Sequence, residues 1–98
     1  MGLFGFPSRK DIDGYVLECL QQYVGDPTSF GTTEYDDAFD QILRVLDEWA
    51  DEHTLGNWKR SAIVGSLEST LRQSLKGYLS SANIDLYVKK SRSVILKM

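Results

Sequence analysis

Hydrophobic and polar residues separate most cleanly over residues 34–53, EYDDAFDQILRVLDEWADEH. At 3.6 residues per turn, the apolar residues fall on one side of a helix and the charged residues from Asp36 onward fall on the other. A strand is excluded, because alternation by two would place Phe39 on the same face as Asp37. The pattern predicts an amphipathic helix whose apolar side consists of Tyr35, Ala38, Phe39, Ile42, Leu43, Val45, Leu46, Trp49 and Ala50.

A helix is also predicted before this stretch, from about Arg9 to Val24. Ser8 is the expected N-cap, and Asp11 stands three residues later, in the arrangement of a capping box. Gly25 is the expected stop. The apolar face of this helix consists of Ile12, Tyr15, Val16, Cys19, Leu20 and Tyr23.

A third long helix is predicted from Trp58 to about Ser81, with Asn57 as its N-cap. Its apolar stripe consists of Val64, Leu67, Leu71, Leu75, Tyr78 and Leu79. Trp58 and Trp49 stand on either side of the turn before this helix, and both are expected to pack in the core.

The last stretch, residues 83–98, fits two structures. A helix beginning at Asn83 would place these residues on one face: Ile84, Tyr87, Val88, Ser91, Ile95 and Met98. A β-hairpin turning at KKSR would instead alternate Ile84, Leu86 and Val88 on one strand with Val94, Leu96 and Met98 on the other. The helix is preferred, because an isolated two-stranded ribbon is marginal and the turn lacks Gly or Asn.

These elements predict an all-α fold, a small bundle of three long helices plus a C-terminal fourth element. The chain has 98 residues, of which 42% are hydrophobic and 26% charged, so it can form one core without metal or disulfide. We therefore predict one helical-bundle domain over residues 1–98. A single Cys cannot form an intramolecular disulfide, no apolar run approaches the roughly 20 residues of a membrane span, and the start lacks a signal-peptide pattern. The expected location is cytoplasmic, away from membranes.

The net charge of −3 conceals two halves of opposite sign. Residues 1–57 contain three cationic and twelve acidic side chains, a net −9, whereas residues 58–98 contain eight and two, a net +6. The two halves either attract each other within the fold or face different partners. Nucleic acid is a poor partner for a chain with a pI near 5.0, because the acidic half repels phosphates.

Catalytic and metal-binding patterns are weak in this chain. His53 is the only histidine and lies outside any H-E-x-x-H motif, and no EF-hand loop is present. The carboxylates of one helix approach a metal from a single direction, so a metal site would need acids from elsewhere. We predict no catalytic residue, no metal ligand and no cofactor, with a carboxylate-metal enzyme as the alternative.

The strongest candidate for function is the acidic side of the second helix, which we call the acidic face. Its members are Asp36, Asp37, Asp40, Asp47, Glu48 and Asp51. Asp47, Glu48 and Asp51, with Glu52, crowd the C-terminal end of the helix, where the dipole disfavours negative charge. This local conflict suggests a role beyond stability, although a solvated charged face is also common in soluble helices.

The acidic face predicts a non-catalytic protein-binding module that docks a basic protein, such as a toxin or nuclease. Charge would accelerate association, and an apolar anchor beside it would provide affinity. The candidate anchors are Phe30, Tyr35 and Trp58. In size and charge, though not in sequence, such a protein is similar to the bacterial immunity proteins, acidic helical inhibitors of cationic toxins.

Self-assembly is the other alternative, and it would make the protein a homo-oligomer. The basic tail of one chain would meet the acidic helix of another, through Lys89, Lys90, Arg92 and Lys97. The same tail can instead fold back onto its own acidic helix. In that case the crowded carboxylates have an internal explanation, and much of the functional hint disappears.

Overall fold

The computed structural model describes residues 7–23 and 33–98, and in the second range it describes side chains from residue 36 onward. Within these ranges the chain forms four α-helices and a short π-helix, without a strand. The helices are α1 (Arg9–Tyr23), α2 (Thr33–Glu52), α3 (Asn57–Leu75) and α4 (Ser81–Ser91), and α4 continues directly into the π-helix Arg92–Leu96. The predicted all-α bundle is confirmed, and its C-terminal element is a helix. No helix in the described ranges has the length and apolar character to cross a membrane.

One hydrophobic core is shared by all of these helices. α1 packs against both α2 and α3, and α3 also packs against α4 and the π-helix. The main neighbours of α2 are therefore α1 and the C-terminal tail rather than α3. The largest side chains that are fully buried are Phe39, Ile12, Ile42, Leu43, Leu46, Ile63, Leu67, Leu71, Leu75, Ile95 and Val16.

α1 begins with the predicted capping box. The Ser8 backbone N–H donates to Asp11 Oδ2 (3.0 Å), and the Asp11 N–H donates to Ser8 Oγ (3.2 Å). Two otherwise unsatisfied donors at the helix start are thereby satisfied. The hydrogen bond from the Ser8 backbone, followed by that from its hydroxyl, lowers the pKa of Asp11 below its ordinary value.

The start of α3 differs from the prediction. Gly56, rather than Asn57, occupies the N-cap position, and no side chain caps the helix. Trp58 does not pack in the core, since 77% of its surface is exposed. Arg60, not Trp58, is the buried residue in the first turn of α3, so the tryptophan remains on the surface.

The end of α3 also lies earlier than predicted, at Leu75 instead of about Ser81. Gly77 adopts a φ of 91°, which glycine tolerates because it lacks a Cβ, and the chain turns there. The N–H groups of Tyr78 and Leu79 both donate to the Leu75 carbonyl, at 2.9 and 3.1 Å. Tyr78 consequently leaves the predicted apolar stripe and is 58% exposed.

α4 begins after Ser80, whose hydroxyl accepts a hydrogen bond from the Asn83 N–H (3.3 Å). Asn83 therefore lies inside α4 and is not its cap. The predicted helical face is otherwise confirmed, because Ile84, Val88, Ser91 and Ile95 are all buried. Met98 departs from it: it is 86% exposed and follows Lys97, which ends the π-helix with a φ of 58°.

Trp49 packs as predicted, between α2 and α1. Its ring stacks on Tyr15 with centroids 4.6 Å apart and an angle of 19° between the planes. Burial, with smaller contributions from Cys19 and other neighbours, raises the pKa of Tyr15 to about 12. Burial also raises the pKa of the Cys19 thiol, which is 3% exposed.

The pKa of Tyr15 predicts a loss of stability in alkali. A tyrosine in the unfolded chain ionises near about pH 10, whereas the folded state holds Tyr15 protonated up to about 12. Its contribution is complete below pH 10 and is lost as the pH rises towards 12, by about 2 kcal/mol. Urea unfolding at pH 9 and 11 should show about half of this loss, because pH 11 lies midway between the two pKa values, and Tyr15→Phe should lessen it. The two proteins should be compared with Cys19→Ala in each, because burial also raises the pKa of that thiol and its ionisation would destabilise the fold in alkali as well. Equal losses of stability with and without Tyr15→Phe would contradict the assignment to Tyr15.

Candidate protein-binding surface

The six members of the acidic face lie in two rows along α2. Four of them form a row that faces the rest of the bundle and is bonded to it, which we call the paired flank: Asp36, Asp40, Asp47 and Asp51. Asp37 and Glu48 lie outside this row and are exposed. The acidic face predicted from the sequence is thus two surfaces with different surroundings.

The basic tail lies on the paired flank of its own chain. Three side chains of the tail bond to three carboxylates of α2 in the same order along both segments: Tyr87 Oη to Asp36 Oδ1 (2.8 Å), Lys90 Nζ to Asp40 Oδ1 (2.5 Å) and Lys97 Nζ to Asp47 Oδ1 (3.7 Å). The tail therefore runs parallel to α2. Two of the cations suggested for self-assembly through the tail are engaged within one chain, and Lys89 and Arg92 remain exposed.

Arg60 of α3 supplies the other partners of the paired flank. Its guanidinium is bonded to Asp47 (2.7 Å) and to Asp51, and its side chain is only 9% exposed. It also donates to two backbone carbonyls, those of Leu55 (3.3 Å) and Ile95 (3.0 Å). Arg60 thus joins the end of α2, the following turn and the π-helix at one buried point.

Part of the charge conflict at the C-terminal end of α2 is therefore resolved internally. Arg60 places positive charge beside Asp47 and Asp51, where the helix dipole is negative. His53 contributes in a different way, because its Nδ1 donates to the Trp49 carbonyl (2.9 Å) in the last turn. Glu48 and Glu52 remain unexplained, since neither forms an ion pair with any residue that the structure describes.

These two glutamates belong to a row of exposed residues on α2, which we call the outer stripe. Its members are Asp37, Gln41, Arg44, Glu48 and Glu52, spaced three or four residues apart on one side of the helix. Three acids and one cation leave the outer stripe with a net charge of −2. Across residues 7–23 and 36–98, no side chain forms an ion pair with its charged members, so the outer stripe can attract a cationic molecule.

The predicted apolar anchors have different outcomes. Phe30 lies outside the described residues, and Tyr35 belongs to α2 but its side chain is outside the description. Trp58 is exposed, as an anchor must be, but it is part of a groove between α1 and α3 and not of the acidic face. The structure therefore does not join Trp58 to the acidic face of its own chain.

An apolar residue that the sequence pattern did not single out lies closer to the acidic face. Leu86 of α4 is 64% exposed. It lines a groove of about 360 Å³ between α2 and α4, which we call the Leu86 groove, together with Asp36, Leu79, Asn83, Tyr87 and Lys90. Its exposure follows from the helical form of the tail, which turns Ile84 and Val88 inward and Leu86 outward. The sequence could have identified Leu86 as exposed, because the preferred helix places it away from the face of Ile84 and Val88, whereas the hairpin places all three on one face.

Metal-binding geometry is not found in the part of the chain that the structure describes, where no three His, Cys, Asp or Glu side chains converge on one point. Comparison with known proteins adds no further guide: no family model matches the chain, and no curated protein or solved structure shows significant similarity to it.

Proposed function

We propose that this chain is a non-catalytic protein-binding module that docks a basic protein through the outer stripe of α2. The observation that supports this is the division of the acidic face. The paired flank is explained by contacts within the fold, whereas Asp37, Glu48 and Glu52 are exposed and unpaired among the described residues. These carboxylates are hydrated and are not neutralised by a cation of the described fold. The stripe can therefore attract positive charge without the breaking of a buried ion pair.

The Leu86 groove supplies the apolar contact that such an interface needs. Charge on a surface mainly raises the association rate and selects the partner, whereas buried apolar side chains provide most of the affinity. Asp36 lines the groove and Asp37 follows it directly on α2, so the groove adjoins the N-terminal end of the outer stripe. The fitting partner is a basic protein, of the toxin or nuclease kind, with an apolar side chain beside its cationic patch.

The test compares two variants that change the net charge equally. Asp37→Lys with Glu48→Lys raises the net charge by four on the outer stripe. Glu18→Lys with Gln21→Lys and Gln22→Lys also raises it by four, on exposed positions of α1. We expect the first variant to lose the basic partner captured by the wild-type chain, with an association rate lower by about tenfold or more at low salt.

The α1 variant is expected to keep that partner, because it adds the same charge on α1 and leaves the outer stripe unchanged. Reversals on the paired flank cannot serve as the test, since they also remove contacts of Arg60 and the tail. A specific partner that binds the Asp37 and Glu48 reversal as rapidly as wild type at low salt would show that the outer stripe is not its binding surface.

A further inference from the structure

Trp58 is the most exposed aromatic residue among the described residues. Tryptophan side chains are usually largely buried, and an exposed one often anchors an interface. Trp58 lines a groove of about 390 Å³ between α1 and the start of α3, here called the Trp58 groove: Arg9, Ile12, Trp58, Lys59, Ser61, Ala62 and Gly65. Exposure beside a preformed groove makes Trp58 a candidate contact residue.

The charge of this groove is positive. Arg9 and Lys59 line it, and none of its lining residues is acidic. Lys59 is held in place, because its Nζ donates to the Pro7 carbonyl (2.8 Å) and lies 5.2 Å from the centre of the Trp58 ring. Arg9 is 3.5 Å from Asp13 in an exposed pair along α1, which water can readily replace. The groove therefore suits a surface that brings carboxylates to its cationic side chains.

The outer stripe of α2 has the complementary chemistry. Glu48 and Glu52 can meet Lys59 and Arg9, and Arg44 lies one turn before Glu48 on the same side of the helix. An arginine guanidinium packs favourably on the face of a tryptophan ring. The single cation of the stripe thus matches the single aromatic ring of the groove.

We propose that the Trp58 groove receives the outer stripe of α2 from a second copy of this chain. The stripe and the groove are different surfaces on different helices, so the contact is heterologous, and each copy can engage one neighbour through each surface. Such an assembly grows with concentration unless the rotation closes it into a ring. It also occupies the stripe, so self-association and binding of a basic partner exclude each other.

Sedimentation velocity on the whole chain tests the proposal. The contact is small and charged, so it should be weak; low salt and protein concentrations up to the order of 1 mM are appropriate. We expect the mean mass to rise with concentration and to return to that of a monomer at high salt. Trp58→Ala and Glu48→Lys should each remain monomeric, while Glu18→Lys with Gln21→Lys and Gln22→Lys should assemble like wild type.

A mixture of the two monomeric variants gives the sharpest result. Trp58→Ala retains the stripe and Glu48→Lys retains the groove, so one heterologous contact remains possible between them. We expect a one-to-one heterodimer that does not grow further. A wild-type chain that stays monomeric throughout, a Trp58→Ala chain that assembles, or a mixture without heterodimers would each overturn the proposal. Unchanged far-ultraviolet circular dichroism checks that both variants are folded.

The outcome is independent of the proposed function. Binding of a basic partner requires the outer stripe but not Trp58, so Trp58→Ala should bind that partner as wild type does. If Trp58→Ala and Glu48→Lys both remain monomeric and only Glu48→Lys weakens binding of the partner, both proposals stand. If both remain monomeric and both bind the partner as wild type does, only the proposed function fails.

Discussion

Replacing Arg60 with alanine is expected to lower the free energy of unfolding by about 3–5 kcal/mol. The guanidinium is almost completely buried and serves Asp47, Asp51 and two backbone carbonyls. Its removal leaves the carboxylate of Asp47, with 23% of its side chain exposed, without its closest cation. The Ile95 carbonyl also loses its hydrogen bond from Arg60 at a buried point. Because domains of this size are stable by about 5–15 kcal/mol, urea unfolding should place the variant near the limit of folding.

Arg72 provides the matched control. It also bonds to two carboxylates, those of Glu68 and Asp85, but 39% of its side chain is exposed. Exposed ion pairs contribute little because water screens them, so Arg72→Ala should lower the free energy of unfolding far less than Arg60→Ala does. Arg60→Lys should recover little of the loss at position 60, because lysine keeps the charge but lacks the planar fork that reaches several acceptors. Equal costs for the two alanine variants would show that burial of the Arg60 network does not determine its strength.

Helix α2 was predictable because its pattern is local. Each turn places apolar residues on one side and charged residues on the other, and the predicted core positions, such as Phe39, Leu46 and Ala50, are buried. The end of α3 was not predictable in this way. Leu75 and Leu79 continue the apolar spacing across the break, so periodicity cannot reveal that the chain turns at Gly77.

The division of the acidic face depends on contacts far apart in sequence. Helical geometry places all six acids on the polar side of α2, but it does not show from which direction the tail and α3 approach. One signal was nevertheless present. Arg60 continues the buried stripe of Val64, Leu67 and Leu71 by one more turn. This spacing predicts that Arg60 is buried, and a buried cation needs acidic partners such as those of α2.

This division narrows the functional interpretation of α2. The crowding of acids at its C-terminal end suggested a binding partner, but Asp47 and Asp51 form ion pairs with Arg60 within the fold. Glu48 and Glu52 form no such ion pair in the described structure. Together with Asp37 they remain the candidates for binding a partner, on the outer stripe. Charge reversal on the two rows should therefore have different effects. Reversal on the paired flank should lower the stability of the fold, and reversal on the outer stripe should weaken binding of the basic partner.

Ile95→Ala is expected to cost about 2–5 kcal/mol in the free energy of unfolding. The side chain is completely buried and packs in the common core, although it lies only three residues from the described end of the chain. Alanine leaves a cavity at the junction of the π-helix with α2 and α3. The Ile95 backbone is unchanged, so its carbonyl can still accept from Arg60, and the loss measures apolar packing alone. Chemical unfolding followed by circular dichroism would measure it.

Met98→Ala is the control, and the pair distinguishes the two structures that the tail sequence allows. Met98 is 86% exposed, so its truncation should change stability by less than about 0.5 kcal/mol. A β-hairpin would align Met98 with Val94 and Leu96 and turn Ile95 to the opposite face. Truncation at Met98 would then cost more than truncation at Ile95. The helical tail requires the reverse order, because successive turns bury Ile84, Val88 and Ile95 and leave the last residue outside the core.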